Sequence, residues 1–339
     1  MYDACMTSDL SRRRFLRWAA AAGLVAPTLA SFEGASRVLA APDGHAPSLG
    51  DDLLARGLAA LAHAHHRGWA RGHHGAAVIA AWCFQREHAL DERTTAALRK
   101  QVEAFIVSRR AEFPTPEPGP GTANPELLLE KLAEHVGELR SGGHDAIYTA
   151  LALRALRHLP EYATPRILDG LVKLLAGFVR TLPAQPASAY HLEHPLPPYE
   201  NADAIRRVTL EALLRPWRHV ESEGAGVVVH WVTHADALVT LHELGYDEVA
   251  RLGHAAHQQF INRPVGPDDL AEPEAEPVAW LQPGYWESDA PRTPQKNTWF
   301  FGHSFKLPYS LFRLLEGTTD GTLGVRALVR ASKLHIPFP

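Results

Sequence analysis

Apolar side chains return every three or four positions over most of this chain, with polar residues filling the gaps. That spacing predicts helices over residues 51–70, 75–84, 92–108, 125–139, 145–156, 165–181, 203–214, 235–244, 247–261, 304–315 and 323–334. Only Val227-Val228-Val229, three β-branched residues in a row, predicts a short strand. Proline-rich connectors occupy 113–125 and 182–199, and an irregular, aromatic-rich segment runs over 262–298. A loop of that last length inside a compact domain usually serves a site.

Four stretches match when the chain is aligned against itself. They begin "HGAAVIAAWCF" at His74, "HDAIYTALALRAL" at His144, "HADALVTLHEL" at His234 and "HSFKLPYSLFRLL" at His303. Each runs from a histidine through an apolar helix and a polar turn into a second, more charged helix. The starts lie 70, 90 and 69 residues apart, a proline-rich insert lengthening the middle interval. Helix pairs that bury one face on their neighbours build a closed ring or an open solenoid. Small residues in the first helices, such as Ala76, Ala77, Ala80, Ala146, Ala150 and Ala152, suit crowding around an axis. The expected fold is therefore all-α, with helix-pair repeats closed into an α/α toroid; an open α-solenoid is the alternative. The first helices would line the ring and their starts would gather at one end.

Composition changes this picture mainly at the N-terminus. Ser11-Arg12-Arg13-Arg14-Phe15-Leu16-Arg17 places an arginine pair ahead of an apolar stretch over 18–29 that ends in small residues, the pattern of a twin-arginine signal peptide. Val38-Leu39-Ala40 offers a cleavage site, so residues 1–40 are expected to be a signal and 41–339 a single mature domain. The expected location is periplasmic or extracellular, reached through the twin-arginine export machinery. No later segment is apolar enough for an integral membrane protein. Losing five arginines and three acids takes the net charge from −4 to −6, which disfavours nucleic acid as a partner. Cys5 leaves with the signal and Cys83 stays alone, so stability must come from packing.

All 20 histidines lie in the mature chain. An imidazole in the first turn of a helix is held neutral by the helix dipole, and neutral imidazole is the form that binds metals. His74, His144, His234 and His303 start the four repeats and would converge. His230 sits one turn before His234 and completes the candidate metal set. His73, Asp145 and Asp236 are candidates to hold those rings in their tautomers. Tyr148 and Lys306, each one turn into its helix, would point at the same mouth and supply a proton or bind an oxyanion. Trp231, Trp280, Tyr285, Trp286 and Trp299 form a candidate substrate wall, with flat apolar faces for an aromatic ring or a sugar. Iron or copper, ahead of zinc, is the expected metal. The chain has no Gly-rich phosphate loop, CxxCH, GxSxG or HExxH, so no nucleotide cofactor is expected.

The units "VVVHWVTHADALVTL" and "GHSFKLPYSLFRLL", preceded in order by "HGAAVIAAWCF" and "GGHDAIYTALALRAL", resemble the all-helical questin oxidase-like proteins, whose fungal members open anthraquinone rings by inserting oxygen. The resemblance marks His74, His144, His234 and His303, and it implies an oxygen-using enzyme acting on a polycyclic aromatic. The export signal departs from that family, whose fungal chemistry is associated with cytosolic reductant. The expected function is an exported metal-dependent oxidoreductase, of oxygenase or oxidase type, acting on an aromatic or polycyclic small molecule at the toroid mouth. Two alternatives rest on other features. One is a glycan-processing toroid, hydrolase or lyase, working through Glu200, Asp203 and Glu287. The other is a non-enzymatic periplasmic metal-binding protein.

Overall fold

A computed structural model describes residues 49–88, 90–121, 123–179, 199–214, 224–261, 279–289, 291 and 301–332. The expected signal peptide, most of the second proline-rich connector and Trp299 lie outside the described residues. Every regular element among the described residues is helical, so the protein is all-α. In chain order the α-helices are α1 (Asp51–His63), α2 (Gly72–Glu87), α3 (Glu92–Ser108), α4 (Glu126–Ala133), α5 (His144–His158), α6 (Pro165–Ala176), α7 (Ala202–Leu214), α8 (Gly224–Glu243), α9 (Asp247–Ile261), α10 (Pro283–Glu287), α11 (His303–Glu316) and α12 (Gly321–Ser332). No helix among the described residues is long and apolar enough to cross a membrane.

Helices on the flanks begin where side chains can satisfy the free N–H groups of a first turn. Asp91 accepts from Thr94 N at 2.6 Å ahead of α3, and Asn201 accepts from Ala204 N at 3.1 Å at the start of α7. Thr164 accepts from Ile167 N at 3.3 Å ahead of Pro165 on α6, and Asp320 accepts from Leu323 N at 3.0 Å on α12. The repeat-start helices α2, α5 and α11 have no such side-chain cap. Each carries a histidine in its first turn instead and forgoes the about 1 kcal/mol that a side-chain cap ordinarily supplies.

Four helices, α2, α5, α8 and α11, touch in cyclic order: α2 packs on α5, α5 on α8, α8 on α11 and α11 on α2. Alanines on these helices, among them Ala76, Ala80, Ala146, Ala150, Ala235 and Ala237, are buried and admit that crowding. Side chains of all four meet at each end of the group. At the C-terminal ends Arg313 binds Asp236 at 2.9 Å and Glu87 at 3.3 Å, and also pairs with Glu243, while Arg154 pairs with Glu87. At the other end lie the histidines.

Three expectations change. Val227-Val228-Val229 belongs to α8 and is not a strand; Val228 and Val229 are buried, and packing outweighs a propensity difference of under ~1 kcal/mol per residue. The expected pairing of first and second helices holds for α2 with α3 and α8 with α9, but α6 packs on α1 and α4, and α12 on α7. The segment expected to be irregular contains the short helix α10, which packs on α3.

Candidate metal centre

Gly72-His73 opens α2, Gly143 precedes His144 at the start of α5, and Gly302 precedes His303 at the start of α11. Gly143 and Gly302 have φ of +80° and +65°, the left-handed region that favours glycine. A Cβ at Gly143 would come within 2.6 Å of the His234 ring, and one at Gly302 within 2.2 Å of Ala77. The chain therefore turns sharply into α5 and α11 and brings the following ring inward. On α8 the helix begins at Gly224, so His230 is already inside it and reaches the same point.

These four imidazoles converge. His73, His230 and His303 each place a ring nitrogen within 4.8 Å of the other two. The ring centres of His73 and His303, and of His230 and His303, are 5.1 Å apart. His144 lies against two members of the triad, 4.4 Å from both His73 and His230. Trp69 flanks His144 at 5.0 Å and Phe301 flanks His73 at 4.7 Å. Lys306 Nζ contacts His73 Nδ1, and Tyr148 stands edge-on to His144 at 5.2 Å.

Burial governs the charge of the group. It pushes His73 and His230 well below the ordinary histidine value, with neighbouring Lys306 and His144 adding to the effect. His144 falls to about 3, chiefly from burial and then from Lys306. Burial also pushes Lys306 well below the ordinary lysine value. The sequence argument assigned neutrality to helix dipoles; desolvation is the larger cause, and it acts equally on His230, which is not at a helix start.

The tautomer of one ring follows from its partner. His144 Nδ1 donates to the Ser141 carbonyl, which can only accept. A neutral His144 then keeps a bare lone pair on Nε2, which is buried and has no hydrogen-bond partner among the described residues. His230 Nε2 is likewise buried without one. Three nitrogens within 4.8 Å of one another admit a central ion no more than about 2.8 Å from each, against ~2.0–2.1 Å for a metal–imidazole bond. The rings need to close by less than about 1 Å, so the donor set fits a first-row transition metal.

The structure brings together some of the expected residues and separates others. His144, His230, His303, Tyr148 and Lys306 are in or beside the cluster, and His73 belongs to it directly instead of supporting it. His74 faces Phe105, with ring centres 5.9 Å apart, because one residue along a helix turns a side chain by ~100°. His234 lies a turn deeper and faces His257, the two Nδ1 atoms 3.2 Å apart. Asp145 accepts from His135 Nδ1 at 3.1 Å, and Asp236 accepts from Ser310 at 2.9 Å and pairs with Arg313; neither carboxylate holds a ring of the cluster. Trp231, Trp280, Tyr285 and Trp286 are buried in the apolar core. Trp286 stacks on Phe305 at 5.9 Å, so these faces are taken up by packing and offer no wall to a substrate. Glu287 pairs with Arg93 and Asp203 with Arg206 on the surface, and Glu200 is exposed, so these carboxylates do not face one another across the cluster. Trp69 is an aromatic neighbour that sequence reasoning missed, whereas Phe301 belongs to the aromatic stretch from Trp280 to Lys306 that it expected to wall the mouth. Gly-His occurs at 44, 72, 143, 253 and 302; the three instances at a helix start, 72, 143 and 302, are the ones whose histidine joins the cluster, which is a signal that favours His73 over His74.

No protein-family model, curated protein or solved structure matches this chain. The chemistry must therefore be read from the cluster's own geometry.

Neutral buried rings make stability depend on pH. His144, pushed down to about 3, and His234, pushed down to about 4, both by burial, bind protons more readily in the unfolded chain. Their contribution is fully present above about pH 6.5 and is lost as pH falls toward the folded values. Between pH 6.5 and 5 each ring accounts for about 2 kcal/mol. Metal-free protein should melt several degrees lower at pH 5 than at pH 7.5 in calorimetry, and an unchanged melting temperature would contradict the burial of these rings.

Proposed function

We propose that His73, His230 and His303, with His144 beside them, hold a transition metal, iron or copper ahead of zinc, in an oxidoreductase that acts on an aromatic or polycyclic small molecule. The observation that carries the reading is the convergence of three ring nitrogens within 4.8 Å in a buried group with no carboxylate among them. Neutral nitrogen donors suit copper, iron and zinc alike; the preference for a redox-active ion rests on the aromatic surroundings and on the resemblance to questin oxidase-like proteins. When bound, such a metal would supply one-electron chemistry, with dioxygen as the oxidant.

The protein's own groups have distinct tasks in this reading. Trp69 and Phe301, on either side of the rings, would stack on a flat substrate. Lys306, touching His73, would hydrogen-bond a phenolic or carbonyl oxygen through Nζ. Tyr148, fully buried with its hydroxyl toward the Trp69 carbonyl at 3.4 Å, would hold the ring of His144 in place. The cyclic packing of α2, α5, α8 and α11 is taken as the inner ring of an α/α toroid with this cluster at its mouth. Export through the twin-arginine route would place the enzyme in the periplasm or outside the cell.

Protein purified without a histidine tag is expected to contain close to one iron or copper per chain by elemental analysis, and to consume oxygen with hydroxylated anthraquinones. Lys306→Met should keep the metal and lose most of that turnover. Zinc alone, or metal without oxygen uptake on any aromatic tested, would favour a metal-binding protein over an oxidoreductase; absence of stoichiometric metal would remove the reading.

A further inference from the structure

Behind the cluster a line of polar groups crosses three helices. On α7, Thr209 Oγ1 lies 2.7 Å from the Ile205 carbonyl and 2.8 Å from His257 Nε2 on α9. A hydroxyl has one proton, and the carbonyl can only accept, so that proton goes to Ile205 O. The hydroxyl oxygen then accepts from His257 Nε2–H.

His257 Nδ1 lies 3.2 Å from His234 Nδ1 on α8. Two bare lone pairs at that distance would repel, so one nitrogen carries a proton. Burial pushes His257 well below the ordinary histidine value, which leaves it neutral with its one proton on Nε2. The shared proton belongs to His234 Nδ1, and His234 keeps a bare Nε2.

The ring of His234 packs against the Gly142-Gly143 turn, where a Cβ on Gly143 would come within 2.6 Å of Cδ2. On the other side of that turn is the cluster: a Cβ on Gly142 would lie 3.7 Å from His144 Nδ1 and 3.8 Å from His230 Nδ1. The turn is held between His234 and the rings it presents.

We propose that Thr209 and His257 are positioning residues, which fix His234 as its Nδ1–H tautomer and brace the Gly142-Gly143 turn so that His144 Nε2 faces the cluster. The consequence for metal affinity rests on the metal reading above; the tautomer assignment does not. Partners one step removed from a metal's ligands ordinarily change affinity by 10–100-fold when lost; Thr209 and His257 act through His234 and the turn, so the low end is expected.

Nitrogen-15 and carbon-13 spectra of the histidine-labelled, metal-free full chain should report Nδ1–H for His234 and His144, and Nε2–H for His257. An Nε2–H tautomer at His234 would overturn the proposal. Thr209→Val removes the acceptor while keeping the shape; it should shift His234 away from pure Nδ1–H and weaken copper binding about tenfold, and Thr209→Ser should restore both. An unchanged His234 signal in Thr209→Val would also overturn it. If Thr209→Val fails to fold, the spectrum of the unsubstituted chain and the Ser variant still decide. If the unsubstituted chain binds no copper, the metal reading fails while the tautomer measurement stands by itself.

Discussion

Replacing His73 by alanine is expected to weaken transition-metal binding roughly a hundredfold, while replacing His74, its neighbour in the chain, leaves the affinity within a factor of a few. The reason is geometric. His73 offers a ring nitrogen within 4.8 Å of those of His230 and His303, whereas the His74 ring is turned toward Phe105. Sharing a binding free energy of about 10–16 kcal/mol over three or four ligands assigns about 3 kcal/mol to each, or about two powers of ten. Titration of both variants with copper, read by calorimetry, distinguishes the two rings. Equal losses would mean that the repeat-start register, in which His74 is the ligand, describes the site better than the observed convergence.

A second large effect is expected where α2 meets α1, on the side of its first turn away from the cluster. At Gly75 on α2 the backbone of α1 comes so close that a Cβ would meet Leu61 N at 2.4 Å and Gly57 O at 2.5 Å. Both are main-chain atoms inside a helix, so neither can swing aside as a side-chain tip would. Gly75→Ala would ordinarily favour a helix by about 1 kcal/mol. Here the overpacking, about 3 kcal/mol or more, outweighs that gain and forces α1 away from α2. A fall in melting temperature of roughly 6 °C or more is expected. An unchanged or raised value would show that the two helices separate freely. The same variant should also lose metal affinity, because His73 is carried on the displaced first turn of α2.

Much of the fold was legible in the sequence for a physical reason. Helices with one wet face and one dry face carry a period that can be read directly, and α3 and α9 begin and end where that period does. Asp91, Thr164 and Asp320 mark their helix starts by the chemistry of capping. The all-α class and the placing of histidines at the starts of α2, α5 and α11 follow from the same kind of reading. His144 and His303 could be placed because each is the first residue of its helix, behind a glycine whose positive φ fixes the turn.

What the sequence left open was the rotation and length of the inner helices. From Gly72 to Phe84 every residue of α2 is buried, so no polar stripe records which side faces the axis. A one-residue choice between His73 and His74 turns a ring through ~100°, and a four-residue choice between His230 and His234 moves it ~6 Å along the axis. The aromatic residues Trp280 and Trp286 posed the same difficulty, since a flat apolar face serves a substrate or a core equally well until its neighbours are known. Sequence determined the helical class and the kind of side chain at the starts of the packed helices. The tertiary structure alone decided which histidines meet, because that depends on how four helices buried all round are turned against one another.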